Sequence, residues 1–317
     1  MRRLLRLTLL LVLLVACRQA SAAGVTPYGD VLVWHASEET SSIWSSTIAE
    51  SGTTHSFSAA NVDFDWDPGF RIGLAHQRDA ESWDTRLYWA YFHTSADMSQ
   101  APGLDVIIPE FFSGFISGSD LLFDSAALNW GLSYNTLDFE LGRTIRLGEA
   151  LSIRPSMGLK AALIDQKITA RWASLLGPAA TERVDHDFQG IGPAFGIAGR
   201  WNSPRLPNWS VVGSFSAALL WGEWNIEDTF ERTDPGLPLS AYGAFTTSMN
   251  DSSLGTLNLN YFLGLQWVRP GDVTITGRLG YELQWWANQQ RLPTFQQLPM
   301  HGDLTLEGLS CGVSLEF

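Results

Sequence analysis

Apolar and polar residues alternate strictly along long stretches of this chain. At the C-terminus, Leu309, Cys311, Val313, Leu315 and Phe317 share one parity, and Ser310, Gly312, Ser314 and Glu316 share the other. Further upstream, Val273, Ile275, Leu279, Tyr281, Leu283 and Trp285 oppose Thr274, Thr276, Arg278, Glu282 and Gln284. Residues 257–267, 151–160 and 83–91 repeat the pattern. A β-strand turns successive side chains to opposite faces, so each run predicts a strand with one apolar and one polar face. Globular strands average about five or six residues, whereas crossing a bilayer at a tilt takes about nine to eleven. Trp201, Trp209, Trp221, Trp267 and Trp285 sit near the ends of apolar faces, as interfacial girdles do. The reading is all-β: a transmembrane, antiparallel up-and-down barrel. A soluble sandwich would also alternate, but with shorter strands and more Lys on its polar faces than the two here, Lys160 and Lys167.

The connections set the topology. Short turns are expected at 78–82, 146–150, 202–207 and 269–272, alternating with long connections at 37–67, 96–120, 173–186, 227–253 and 288–302. Outer-membrane barrels pair short periplasmic turns with long external loops. Counting gives about ten strands, with both termini periplasmic. One stretch resists: apolar parity is even from Leu122 to Tyr134, then odd at Leu137, Phe139 and Leu141. A bulge near Asn135–Thr136 would absorb the slip. A hairpin there would instead call for a further strand, at 54–62, and a total of twelve.

Residues 1–23 read as a signal peptide: Arg2, Arg3 and Arg6, an apolar run from Leu7 to Ala16, then small residues at Ala20, Ala22 and Ala23. Leu14-Val15-Ala16-Cys17 also fits a lipoprotein cleavage box, which would make Cys17 the lipidated mature start. Residues 24–317 are then one outer-membrane barrel with long acidic external loops. Ordinary cleavage leaves Cys311 as the one mature cysteine, which excludes an intrachain disulfide. It also removes four arginines and no acid, so the charge falls from −13 to −17. With a pI near 4.8 the chain offers nucleic acid no basic face. Mean hydropathy is 0.00 and charged residues are 17%, the values expected when a lipid face and a polar face are averaged along the same strands.

Ser310, Gly312, Leu315 and Phe317 form the terminal pattern that bacterial barrel-assembly machinery reads: polar, Gly, hydrophobic, final aromatic. Several stretches look like the pore-forming Legionella-type major outer membrane protein family. They are residues 62–74 (VDFDWDPGFRIGL), 83–95 from Trp83-Asp84 to Tyr91-Phe-His-Thr-Ser95, 137–143 (LDFELGR), 151–155 (LSIRP), 158–166 (GLKAALIDQ), 190–193 (GIGP) and 302–309 (GDLTLEGL). Their order and spacing span nearly the whole mature chain. The resemblance implies an integral, multi-pass barrel of the Gram-negative outer membrane with porin activity. It brings no defined substrate, catalytic residue or selectivity filter.

Parity assigns Arg71, Asp84, Arg86, Glu140, Arg154, Lys160, Arg200, Arg278 and Glu282 to the inner face, as candidate pore-lining residues. Arg or Lys on the lipid face would cost about 2–4 kcal/mol at the midplane. Mixed signs allow either salt-bridged packing that fills a narrow lumen or a charge-lined constriction. Segments 37–67 and 96–120 contain acids without Lys or Arg and would make the external mouth anionic. Asp63-x-Asp65-x-Asp67 is not followed by an EF-hand loop, and no metal or other cofactor is expected. Residues 101–118 are apolar enough to fold into the lumen or onto the rim.

No His-Glu-x-x-His, Gly-x-Ser-x-Gly, phosphate loop or cysteine cluster is present, and no enzyme is expected. His35, His93, His186 and His301 lie near strand tops beside acids, which keeps an omptin-like outer-membrane protease as a lesser alternative. The leading expectation is a porin-like protein passing small hydrophilic solutes or ions. The alternative is a surface-exposed, adhesin-like binding barrel with a closed lumen. Expected partners are outer-membrane lipid and lipopolysaccharide, the barrel-assembly machinery, small hydrophilic solutes and a possible second copy.

Overall fold

The computed structural model describes residues 24–38, 43–51, 54–77, 82–101, 103, 105–109, 123–174, 179–233, 245–292 and 300–317. The signal peptide and Cys17 lie outside them, as does most of the apolar segment 101–118. The strands are β1 (Val25–Glu38), β2 (Ile43–Ser51), β3 (Thr54–Asn61), β4 (Trp66–Gln77), β5 (Trp83–Gln100), β6 (Val106–Pro109), β7 (Ser125–Arg143), β8 (Ile145–Arg146), β9 (Leu151–Ala173), β10 (Ala179–Asn202), β11 (Trp209–Thr233), β12 (Phe245–Arg269), β13 (Thr274–Leu292) and β14 (Met300–Glu316).

Ten of them close into an antiparallel barrel in the order β1-β4-β5-β7-β9-β10-β11-β12-β13-β14, with β14 returning to β1. The two-residue β8 extends the edge of β9. Strands β2, β3 and β6 form a separate three-stranded sheet. It caps the end away from the short turns, and Trp44 and Ile107 from it join the barrel's buried cluster.

The parity slip in β7 has a cause other than a bulge. Strand β7 pairs with β5 and β9 in unbroken register through Asn135 and Thr136. Even-numbered residues point inward along its whole length; what changes is the solvent on each side. Near the short turns the outward residues Leu137 and Phe139 are exposed and apolar, while Asp138 and Glu140 face the lumen. Beyond Thr136 the inward residues become Tyr134, Leu132, Trp130 and Leu128, all buried, while Ala127 and Asn129 point outward.

The neighbouring strands invert at the same height. On β9 the outward row changes from Leu159 and Leu163 to Asp165, Lys167 and Arg171. On β10 it changes from Phe195 and Ile191 to Gln189, Asp187 and Asp185, and on β11 from Leu219 and Trp221 to Glu223 and Glu227. The register aligns these transitions, with Asp187 opposite Asp165 and Gln189 opposite Glu223. The barrel therefore has an inside-out half, with an apolar belt around a polar lumen, and a half built like a soluble barrel, with a polar wall around an apolar core. On β11 the belt runs between the outward-facing Trp209 and Trp221. That is about 40 Å along the strand and about 30 Å of height at a typical tilt, enough to span a bilayer core.

The outer half also explains where the expected long loops went. Strands β9 to β14 run on through much of segments 173–186, 227–253 and 288–302, and β5 runs into 96–120 as far as Gln100. Their period-two pattern persists there with its faces exchanged. Register irregularities fall instead on β12, opposite Leu220 and Trp221, and on β13 between Trp286 and Gln290. In the second, Asn288 takes a left-handed backbone with φ 53° and donates its N–H to Asp303 at 2.8 Å. Asn tolerates that region better than a β-branched residue.

Candidate functional site

The lumen of the inside-out half holds a charged network. Arg71 on β4 donates to Asp30 on β1 at 3.1 Å and to Glu282 on β13 at 2.6 Å. Arg278 on β13 reaches the same Asp30 at 2.8 Å. Arg154 on β9 binds Asp84 on β5 through its Nε at 2.9 Å and its Nη2 at 2.5 Å, and Glu140 on β7 at 2.8 Å. Arg86 lies 3.3 Å from Asp84, and Lys160 lies 2.6 Å from Asp138. Tyr88 donates to Glu140 at 2.9 Å. Removing one partner of a buried pair leaves an uncompensated charge, typically costing about 3–5 kcal/mol. These groups surround a cavity of about 540 Å³ whose lining includes Arg71, Arg86, Glu140, Arg154, Lys160, Arg200, Arg278 and Glu282. Asp84 is buried beside it, bound to Arg154.

Two glycines make room for this network. A Cβ on Gly312 would collide with the Asp30 carboxylate, and one on Gly142 with the Arg154 guanidinium. Ser310 and Gly312 point into the barrel, whereas Phe317 is exposed at the end of the apolar parity. Leu315 pairs with Ile275 on β13.

Above the network lies an aromatic layer. Trp34 packs on Phe92 and Tyr134 with ring centres 5.7 Å and 6.1 Å apart, and Tyr134 meets Trp286 at 5.8 Å. Tyr134 on β7 donates to Gln284 on β13 at 2.5 Å. Five steps around the ring separate these strands, so the bond spans opposite walls. From below, Arg71 lies 6.0 Å from the Trp34 ring and Lys160 lies 5.9 Å from the Trp286 ring, within cation–π range. Higher still, Trp130, Phe64, Ile164, Ile168, Trp172, Phe188, Trp224 and Leu304 continue one buried core. Gln166 links Trp130, a donor at 2.8 Å, to Glu38 at 3.0 Å. Burial raises the Glu38 carboxyl well above its ordinary value, and Asp303 adds to the shift.

Among the described side chains His35, His93 and His186 do not converge on one site, and that of His301 lies outside them. His186 is buried in the outer half, where its Nε2 accepts the Arg291 N–H at 3.3 Å, and burial lowers its pKa to about 4. His35 lies 3.6 Å from Asp63, and His93 lies 3.1 Å from Ser133. Asp67 of the Asp63-x-Asp65-x-Asp67 run accepts from Thr94 at 2.7 Å. No group of three or more metal-ligating side chains occurs among the described residues.

Sequence reasoning missed Asp30, Asp138 and the aromatic layer. Asp30 and Asp138 were detectable, since each occupies the polar parity of an alternating strand. The layer was not, because Tyr134 lies on the parity that reads as apolar and outward in 122–134, while Trp34 and Trp286 are lone aromatics on the polar parity of their strands.

Among solved structures, the outer membrane protease OmpT from Escherichia coli is 10% identical, with 92% of this chain and 96% of that one covered and a TM-score of 0.44. The transport unit of the autotransporter AIDA-I from Escherichia coli is 7% identical, covering 93% and 90%, with a TM-score of 0.30. A Pseudomonas aeruginosa FadL homologue is 6% identical, covering 92% and 89%, with a TM-score of 0.25. No curated protein sequence matches the chain. The family model of the Legionella pneumophila major outer membrane protein precursor matches residues 28–317. With its closed barrel and apolar belt, the chain is an integral β-barrel protein of the outer membrane and belongs to the Legionella major outer membrane protein family.

Proposed function

We propose that this protein works as a closed-lumen barrel of the outer membrane, anchored by its inside-out half and presenting its outer half and three-stranded sheet for contact at the cell exterior. The supporting observation is the Tyr134–Gln284 bond across the lumen within the Trp34–Phe92–Tyr134–Trp286 layer. A hydrated solute moving along the axis would have to displace these side chains and the core above them. Ten strands lie near the eight whose interior side chains fill, far from the sixteen of open porins. The reading assigns no catalytic activity.

Diffusion of small hydrophilic solutes is the second reading. The charge-lined cavity entering from the periplasmic end favours it, and it requires the aromatic layer to move. Planar-bilayer recording of refolded protein separates the two. The closed-lumen reading expects no discrete conductance steps; regular steps from the unmodified chain would overturn it in favour of a gated pore.

A further inference from the structure

The cavity beneath the aromatic layer opens toward the short turns. Thr26, Gln77, Arg200, Thr276 and Glu316, all near that end of their strands, line it. Its charges are not evenly paired. The deep cations Arg71, Arg154 and Lys160 each hold a carboxylate of their own. Toward the mouth, Arg86 and Arg278 keep 40% and 34% of their side chains exposed and share acids that the deep cations already bind. Arg146 and Arg200 line the same cavity and are exposed, and neither has an ion pair among the described residues. Among the described residues, Glu316 is the one lining carboxylate at this mouth that is not engaged deeper in the cavity.

We propose that this cavity binds small multivalent oxyanions, polycarboxylates or phosphates, entering from the periplasm. The guanidinium fork matches the planar edge of a carboxylate or phosphate and can donate two parallel bonds. The half-exposed forks stand on different walls, with Arg86 on β5, Arg146 on β8, Arg200 on β10 and Arg278 on β13. An anion with two or more charges can thus be held from more than one side. The cavity volume, about 540 Å³, lies within the range of small-molecule sites. Low-dielectric walls focus the local positive field, although the chain as a whole is strongly acidic. The proposal rests on the cavity and not on the closed-lumen reading, so either can fail alone.

Isothermal titration calorimetry of the refolded mature chain in a zwitterionic detergent tests it, with sodium citrate and sodium pyrophosphate as probes and spermidine as the cationic control. The expected result is saturable binding of at least one anion that weakens as salt rises, with none for spermidine. The Arg146→Gln/Arg200→Gln variant breaks no ion pair and should fold as the parent does. It should bind at least tenfold more weakly, whereas Arg183→Gln on the outer wall should bind normally. Absence of saturable anion binding, equal binding of spermidine, or unchanged affinity in the double variant would each overturn the proposal. The relative response to citrate and pyrophosphate identifies which oxyanion class the site prefers.

Discussion

Arg71 ties three strands of the luminal network together, β1, β4 and β13. It is buried and bonded to two carboxylates on different strands. Arg71→Met would leave Asp30 with only Arg278 and Glu282 with no cation, for an expected loss of about 3–5 kcal/mol. Thermal unfolding in detergent, followed by the gel shift of heat-denatured barrel, measures it. Combining Arg71→Met with Glu282→Gln should recover part of the loss, because one orphaned charge is removed. His186 gives a pH signature. Its folded pKa of about 4 lies below the ordinary 6.5, so the unfolded chain binds more protons between those values. Its contribution is fully present above pH 6.5 and is lost as pH falls toward 4. In His186→Gln, denaturation midpoints across that window should flatten; an unchanged slope would assign the dependence to other groups.

At the scale of the strand, the outward row sets where lipid ends. Cysteine substitutions along β9, in a Cys311→Ser background, test this directly. Leu159→Cys and Leu163→Cys should resist a water-soluble maleimide in liposomes, while Lys167→Cys and Arg171→Cys should react readily. Leu159→Arg should destabilise by about 2–4 kcal/mol if it lies near the midplane. Uniform labelling along β9 would remove the assigned membrane edge. The strands themselves were legible in the sequence because alternation is a direct trace of a two-faced ribbon. The exchange of faces at Tyr134–Leu137 was visible too, but alternation reports only that the two sides differ. It does not say which side is lipid, and a bulge produces the same slip. Only the register with β5 and β9 resolves it.

At the scale of the molecule, the closed-lumen proposal makes the aromatic layer the barrier to passage, and truncation tests it. The combined variant Trp34→Ala, Tyr134→Ala and Trp286→Ala clears side chains that meet across the lumen. It should add discrete conductance steps to a silent barrel, provided that the core above relaxes. Each large-to-small change costs about 3–5 kcal/mol, so folding must be confirmed before recording. The inner-face charges were readable one strand at a time, since burying Arg or Lys against lipid is expensive. Their pairing was not, because Arg71 meets Glu282 across more than two hundred residues of sequence. Which side chains meet across the lumen likewise depends on which walls face each other, a property of the completed ring.

The exchange of faces along β7, β9, β10 and β11 has a further consequence for what the cell presents to its surroundings. Beyond the apolar belt, β9 continues from Asp165 to Ala173, about 26 Å of strand and roughly 20 Å of height at the usual tilt. Under the closed-lumen proposal that length stands as a stalk above the membrane. Because its interior is packed like that of a soluble protein, it holds its shape without help from lipid. The three-stranded sheet lies at the far end of it, so the part of the molecule held farthest from lipid is carried on a wall that needs no bilayer to keep its form.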